Sequence, residues 1–180
     1  MRAIIIFLFS FLLMYVDFLF ADFSPMEIGG VEVYFVPRAL LMFILLVSVY
    51  ASPRMSVLLG VVFGAMLDLY IGSLYGIHTF GMVAFVLFMH TAFRVFHKDF
   101  VALAFVVLLL TFFYDLYIYF VYSVLDMVHL PAFDYLALRA APSLLLNALI
   151  FILVFIIALK TSKIRKQVLP IHRQQGTPLV

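Results

Sequence analysis

The chain has 180 residues, of which 68% are hydrophobic and 11% charged, and its mean hydropathy is +1.27. No soluble domain of this size could hide so much apolar surface, so the bilayer is the expected solvent, with no room left for a soluble catalytic domain. The absence of cysteine excludes disulfides, thiolate metal sites and a cysteine nucleophile, and the net charge of +2 informs only through its distribution.

Apolar runs long enough to cross a ~30 Å core occur at about 3–21, 35–51, 54–71, 77–93, 100–123 and 140–159. They predict an all-α polytopic membrane protein with six transmembrane helices. Arg2 ahead of the first run has the look of a signal peptide. That run, however, is about 19 residues long, and Ala21 follows the bulky Leu19 and Phe20 where a cleavage site prefers small side chains, so a retained span is expected. Ser52 before Pro53 is an N-cap signal, and Pro37 and Pro142 stand where they can start the second and sixth helices.

In the six-span arrangement Arg2, Arg54, Arg94, Lys98, Lys160, Lys163, Arg165, Lys166 and Arg173 share one side, and only Arg38 and Arg139 take the other. The positive-inside rule then makes both termini cytoplasmic. Asp22, Glu27, Glu32, Asp126 and Asp134 fall in the two long external loops, with Asp99 the cytoplasmic exception.

The first external loop, 22–34, contains MEIGGVEVYF, in which Gly29-Gly30 can take the positive φ angles of a tight hairpin turn; the alternative is a disordered loop. The second, 124–138, mixes Leu, Phe, Tyr and acids as an interfacial segment does. The links near 52–54 and 72–76 are short enough only for turns. The chain thus divides into a six-helix transmembrane domain, 1–165, and a basic, polar cytoplasmic tail, 166–180. That tail reads as a stop-transfer anchor attracted to anionic lipid, or as a docking segment for a cytoplasmic partner.

Residues 53–76, PRMSVLLGVVFGAMLDLYIGSLYG, hold the densest pattern. Four-residue steps advance about 40° around a helix, so Gly60, Gly64 and Asp68 share one narrow stripe, and Gly72 and Gly76 belong to a turn after it. The GxxxG spacing of Gly60 and Gly64 suits close helix approach, a motif also common by chance. Charges within a bilayer cost several kcal/mol unless paired or hydrated. Asp17, Asp68 and Asp115 each lie about 14–16 residues beyond the cytoplasmic end of their helices, roughly 21–24 Å up, at the level where Arg38 and Arg139 begin helices two and six. These five are expected to form one polar layer. The layer serves either to fix helix assembly by internal pairing or as a polar mouth for a ligand or a partner's transmembrane helix. Asn147 is placed for an interhelical hydrogen bond, His78 and His90 at the interface, and His97 and His129 in loops. The abundant phenylalanines suit lipid-facing positions.

Catalytic patterns do not assemble. Asp68, Ser73 and His78 lack a nucleophile elbow or a glycine-bracketed serine. Tyr114-Asp115 matches half of an intramembrane aspartyl-protease pattern, but Asp68 is not preceded by Gly-x-Gly. No Walker, Rossmann or metal motif is present, no cofactor is implied, and without a basic folded domain nucleic-acid binding is not expected.

The run Gly60-x3-Gly64-Ala-Met-Leu-Asp68-Leu-x2-Gly72-x3-Gly76 after Pro53 resembles the MreD family of rod shape-determining proteins, as does Ala141-Pro142-x4-Asn147-Ala148 in the last helix. The resemblance covers about residues 1–165. It implies a non-enzymatic protein of the bacterial inner membrane that works with MreC, MreB filaments, the glycosyltransferase RodA and its class-B penicillin-binding partner in lateral peptidoglycan synthesis. Gly60, Gly64, Asp68, Gly72, Gly76, Pro142 and Asn147 would then serve helix packing or partner binding. The family is similar in fold to the substrate-binding S-components of energy-coupling-factor transporters, which implies an S-component-like bundle. It also leaves a rival function, a transport subunit that binds a vitamin-type small molecule.

Overall fold

A computed structural model of the chain describes residues 2–71, 74–95 and 100–166. Gly72, Ser73, His97, Lys98, Asp99 and the tail beyond Lys166 lie outside the described residues. The order is α1 (Arg2–Asp22), a hairpin of β1 (Met26–Ile28) and β2 (Val31–Val33), α2 (Ala39–Tyr50), α3 (Pro53–Ile71), α4 (Ile77–Val95), α5 (Phe100–Val124), the short α6 (Ala132–Tyr135), a π-helical segment (Leu136–Ala140) and α7 (Ala141–Lys166). Among the described residues four stretches are long and apolar enough to cross a membrane: Ala3–Asp22, Pro53–Ile71, Val101–Val124 and Ala132–Ile157. Ala39–Tyr50 and Ile77–Thr91 are shorter apolar helices.

The bundle is built around α2. Every residue from Ala39 to Ser48 is buried, and the helix packs on α1, α3, α4, α5 and α7. Its sequence, ALLMFILLVSVY, is apolar on all sides, as a helix enclosed by others requires. The outer helices invert the pattern of a soluble protein. Leu8, Phe11, Leu12 and Tyr15 on α1, Phe105 and Phe120 on α5, and Leu145, Leu149 and Leu153 on α7 are exposed. Ser10, Ser48, Ser56, Asp68, Thr111, Asp115, Ser143 and Asn147 are buried. Such an apolar exterior is stable in lipid and a liability in water. Ser10 and Thr111 satisfy themselves locally, each hydroxyl donating to the carbonyl four residues before it.

Gly29 (φ +63°) and Gly30 (φ +80°) form the tight turn expected of them, and Met26, Glu27 and Ile28 pair with Val33, Glu32 and Val31. Two expectations about prolines are corrected. The second helix starts at Ala39, with Pro37 still in extended chain, so it has 12 residues and not the 17 of the predicted run. The last helical run does not start at Pro142 but at Ala132. Proline inside a helix removes one N–H and crowds the carbonyl four residues earlier. Here that carbonyl is Leu138, within the π segment, and it accepts instead from Tyr34 N–H at 2.8 Å. The backbone group that Pro142 leaves unused thereby holds the end of the hairpin.

Candidate functional site

The residues Tyr34–Arg38 run extended against the start of α7, and alternate positions face it. Val36 N–H donates to Ser143 Oγ (3.0 Å), Asn147 Nδ2 donates to Val36 O (3.3 Å), and Arg38 N–H donates to Asn147 Oδ1 (2.9 Å). Tyr34 O receives the Ser143 hydroxyl at 3.3 Å. Pro37 falls on the other side of this period-two pattern, where its missing N–H costs nothing. The effect is to hold Arg38 at the threshold of α2.

There Arg38 Nε donates to Asp115 Oδ1 on α5 at 2.8 Å, and both side chains are largely buried. Its guanidinium also lies 5.3 Å from the centroid of the Tyr114 ring. Asp17 on α1 turns to the next two residues: Oδ1 accepts Ala39 N–H (2.9 Å) and Oδ2 accepts Leu40 N–H (3.0 Å). These are the unsatisfied donors of the first turn of α2, which its N-cap residue, Arg38, has no side-chain oxygen to receive. A carboxylate from another helix does the work of an N-cap, with the favourable end of the helix dipole facing it.

The same device recurs on α4. Gly76 (φ +93°) turns the chain into the helix and its carbonyl accepts Phe80 N–H at 2.8 Å. It has no side chain to cap with. Asp68, at the end of α3, supplies both oxygens: Oδ1 accepts His78 N–H (2.8 Å), and Oδ2 accepts Thr79 N–H (3.0 Å) and the Thr79 hydroxyl (2.6 Å). Gly64, one turn before Asp68, is where α4 passes closest. A Cβ added there would stand 2.5 Å from Thr79 Cα and 2.9 Å from Thr79 N. At Gly60 the nearest atoms would be 3.7 Å away, an ordinary contact.

The glycine stripe is therefore covered by the chain's own α4, and only Gly64 is sterically required to be glycine. Of the five residues expected in one layer, Asp17, Arg38 and Asp115 meet around the start of α2. Asp68 is not their centre: it reaches them through His78, whose Nδ1 lies 2.9 Å from the Tyr114 hydroxyl, and then through the Tyr114 ring to Arg38. Arg139 forms no ion pair among the described residues and stands 5.7 Å from the centroid of the Tyr135 ring. Tyr135 in turn donates its hydroxyl to Asp115 O at 3.0 Å. His78, expected at the interface, is only 2% exposed. Ser143, Thr79 and Tyr135 were not anticipated, and Tyr114 was named only within the rejected Tyr114-Asp115 protease pattern. Ser143 and Asn147 stand four apart, the one spacing that could have drawn attention to Ser143 beside Asn147.

Between α1, α3, α4, α5 and the π segment lies a cavity of about 500 Å³ lined by Asp17, Arg38, His78, Arg139 and the tyrosines 34, 70, 119, 122 and 135, among mostly apolar side chains. At its hairpin side the Tyr34 hydroxyl donates to Glu32 (3.2 Å), and hydrogen bonding to that carboxylate raises the phenol above its usual range. No group of three or more histidines or acids capable of holding a metal occurs among the described residues. A family model described as the rod shape-determining protein MreD matches residues 1–163 of the chain. No curated protein and no solved structure matches it.

Proposed function

The chain belongs to the MreD family of rod shape-determining proteins, and from that premise we propose that it is a non-enzymatic scaffold of the bacterial cell-elongation complex. It sits in the inner membrane with six spans and both termini in the cytoplasm. It binds MreC directly and, through MreC, MreB filaments, RodA and RodA's class-B penicillin-binding partner, helping to organise lateral peptidoglycan synthesis. The observation that carries this reading is the family match along residues 1–163.

The geometry supports it. Three carboxylates inside the bundle are occupied with architecture: Asp17 and Asp68 each hold the first turn of another helix, and Asp115 neutralises Arg38. Asp17 and Asp68 thus use their charge to position backbone. Because α4 covers Gly60 and Gly64, the contact with MreC belongs to faces the bundle leaves exposed and not to the glycine stripe. The test is affinity purification of the full chain from native membranes of a rod-shaped bacterium, together with replacement of the resident protein by this one. MreC is expected in the purified complex and rod shape is expected to be kept. Round cells and a preparation lacking MreC, from protein shown to be folded and inserted, would overturn the reading.

A further inference from the structure

The cavity of about 500 Å³ falls in the range of small-molecule sites, about 300–1,000 Å³. Its lining passes from exposed residues, Ala21, Tyr70, Ile71 and Leu130, to fully buried ones, Leu40, Leu41 and Met82. The space therefore runs from the surface into the core. Its surface end lies at the C-terminal ends of α1 and α3 and in the segment that follows α5.

The chemistry of an occupant follows from what the lining has left to offer, and its polar groups are largely committed within the chain. Asp17 accepts two backbone amides, and Arg38 is matched by Asp115. Ser24 Oγ accepts Phe35 N–H, and the hydroxyls of Tyr34, Tyr119 and Tyr135 donate to Glu32, Leu130 O and Asp115 O. His78 Nε2, Tyr122 Oη and Arg139 Nε have no partner among the described residues, but these atoms are themselves buried and present nothing to an occupant. Charge on the lining balances as well. With Arg38 paired, Arg139 is left against the carboxylate of Asp17.

The rest of the wall is hydrocarbon and ring carbon. Phe18 stacks on Tyr70 with centroids 4.3 Å apart, Tyr119 stacks on Tyr135 at 4.0 Å, and all four line the space beside Met14, Met82 and Ile118. A buried water needs about two to four polar partners, whereas cavities walled by apolar side chains stay dry and take up apolar molecules. An uncharged hydrocarbon asks for no partner and suits this lining. The enclosing helices α1, α3 and α5 are long and apolar enough to cross a membrane, so the hydrocarbon at hand is the acyl chain of a membrane lipid.

We propose that one acyl chain of a membrane phospholipid enters this cavity past Ala21, Tyr70 and Leu130 and lies along its apolar wall, leaving the lipid's head outside. The chain completes the packing between α1, α3, α4 and α5. The site does not rest on the scaffold reading and stands or falls separately from it.

The chain contains no tryptophan, so a single introduced one reports without background. Met82→Trp on α4 and Ile118→Trp on α5 place it at the cavity; Met89→Trp and Leu110→Trp place it on the same two helices, equally buried but off the lining. Phe120→Trp places it on the exposed face of α5. Each full-length protein that folds is reconstituted in vesicles of dioleoylphosphatidylcholine or of the same lipid brominated across its oleoyl double bonds, and acrylamide serves as the quencher dissolved in water. Either helix's pair suffices if the other misfolds. The cavity reporters are expected to lose at least half as much emission to the brominated lipid as Phe120→Trp does, the buried reporters off the lining far less, and acrylamide should leave the cavity reporters unchanged. Quenching by acrylamide and not by brominated lipid would mean a water-filled cavity and would overturn the proposal. So would cavity reporters that neither quencher reaches, or brominated lipid quenching Met89→Trp and Leu110→Trp as strongly, which would place the quenching chains outside the bundle.

Discussion

Replacing Asp68 by alanine takes away the acceptor for two backbone amides and a hydroxyl at the start of α4. A hydrogen bond to a charged acceptor contributes about 1.5–3 kcal/mol net. The Thr79 hydroxyl can turn back to a carbonyl of its own chain, so the loss rests on the His78 and Thr79 amides and comes to roughly 3–6 kcal/mol. Against a total stability of about 5–15 kcal/mol this is a large share. Asp68→Asn keeps one acceptor but brings an NH2 group against a donor and removes the charge from the helix N-terminus, for about 2 kcal/mol. Thr79→Ala should cost no more than about 1 kcal/mol. The measurements are unfolding by sodium dodecyl sulfate titrated into mixed micelles, and hydrogen exchange followed by mass spectrometry over residues 77–81. The order of damage should be Ala, Asn, then the Thr79 variant, and exchange at His78 and Thr79 should accelerate first and most. An Asp68→Ala protein within about 1 kcal/mol of the parent, or one whose α4 amides stay protected, would refute the capping account.

Gly60→Ala and Gly64→Ala are chemically identical changes on the same helix face, yet their added methyls would meet neighbours at 3.7 Å and 2.5 Å respectively. The first should be tolerated within about 1 kcal/mol and the second should cost about 3 kcal/mol, because it strikes the Thr79 backbone, which cannot rotate away; equal melting temperatures in detergent would contradict this. Arg38→Met and Asp115→Leu should each cost about 3–5 kcal/mol by leaving a buried charge unmatched, and the two combined should cost less than the sum of the singles, so additivity within about 0.5 kcal/mol in this double-mutant cycle would deny the pairing. Pro142→Ala supplies a new amide to compete for Leu138 O. Exchange of the Tyr34 amide should then rise about tenfold, equivalent to about 1.4 kcal/mol of lost protection, while the bundle's unfolding midpoint barely moves. An unchanged Tyr34 amide would show that the π segment does not depend on the proline.

The solvent of this chain, its apolar helices and its hairpin were legible from residue types. Composition and run length mark the helices because lipid requires long apolar stretches, and Gly29-Gly30 marks the hairpin because few other residue pairs accept positive φ twice in succession. Of the five charged residues expected in one layer, Asp17, Asp115 and Arg38 lie together around the start of α2. Their partners were not legible. Side-chain charge suggests that aspartates seek arginines, yet only Asp115 does so; Arg139 stays without an ion pair among the described residues, and Asp17 and Asp68 go to helix starts whose own cap positions, Arg38 and Gly76, offer no oxygen. The acceptors could be seen in the sequence, but the donors they satisfy are peptide N–H groups, which nearly every residue carries and which therefore leave no trace in residue type. Which of them end up unpaired and buried beside a carboxylate is decided only when the helices pack. The same holds for the cavity: Tyr122, His78 and Arg139 lie far apart in the chain, and only the packing of α4, α5 and the π segment brings them to line one space.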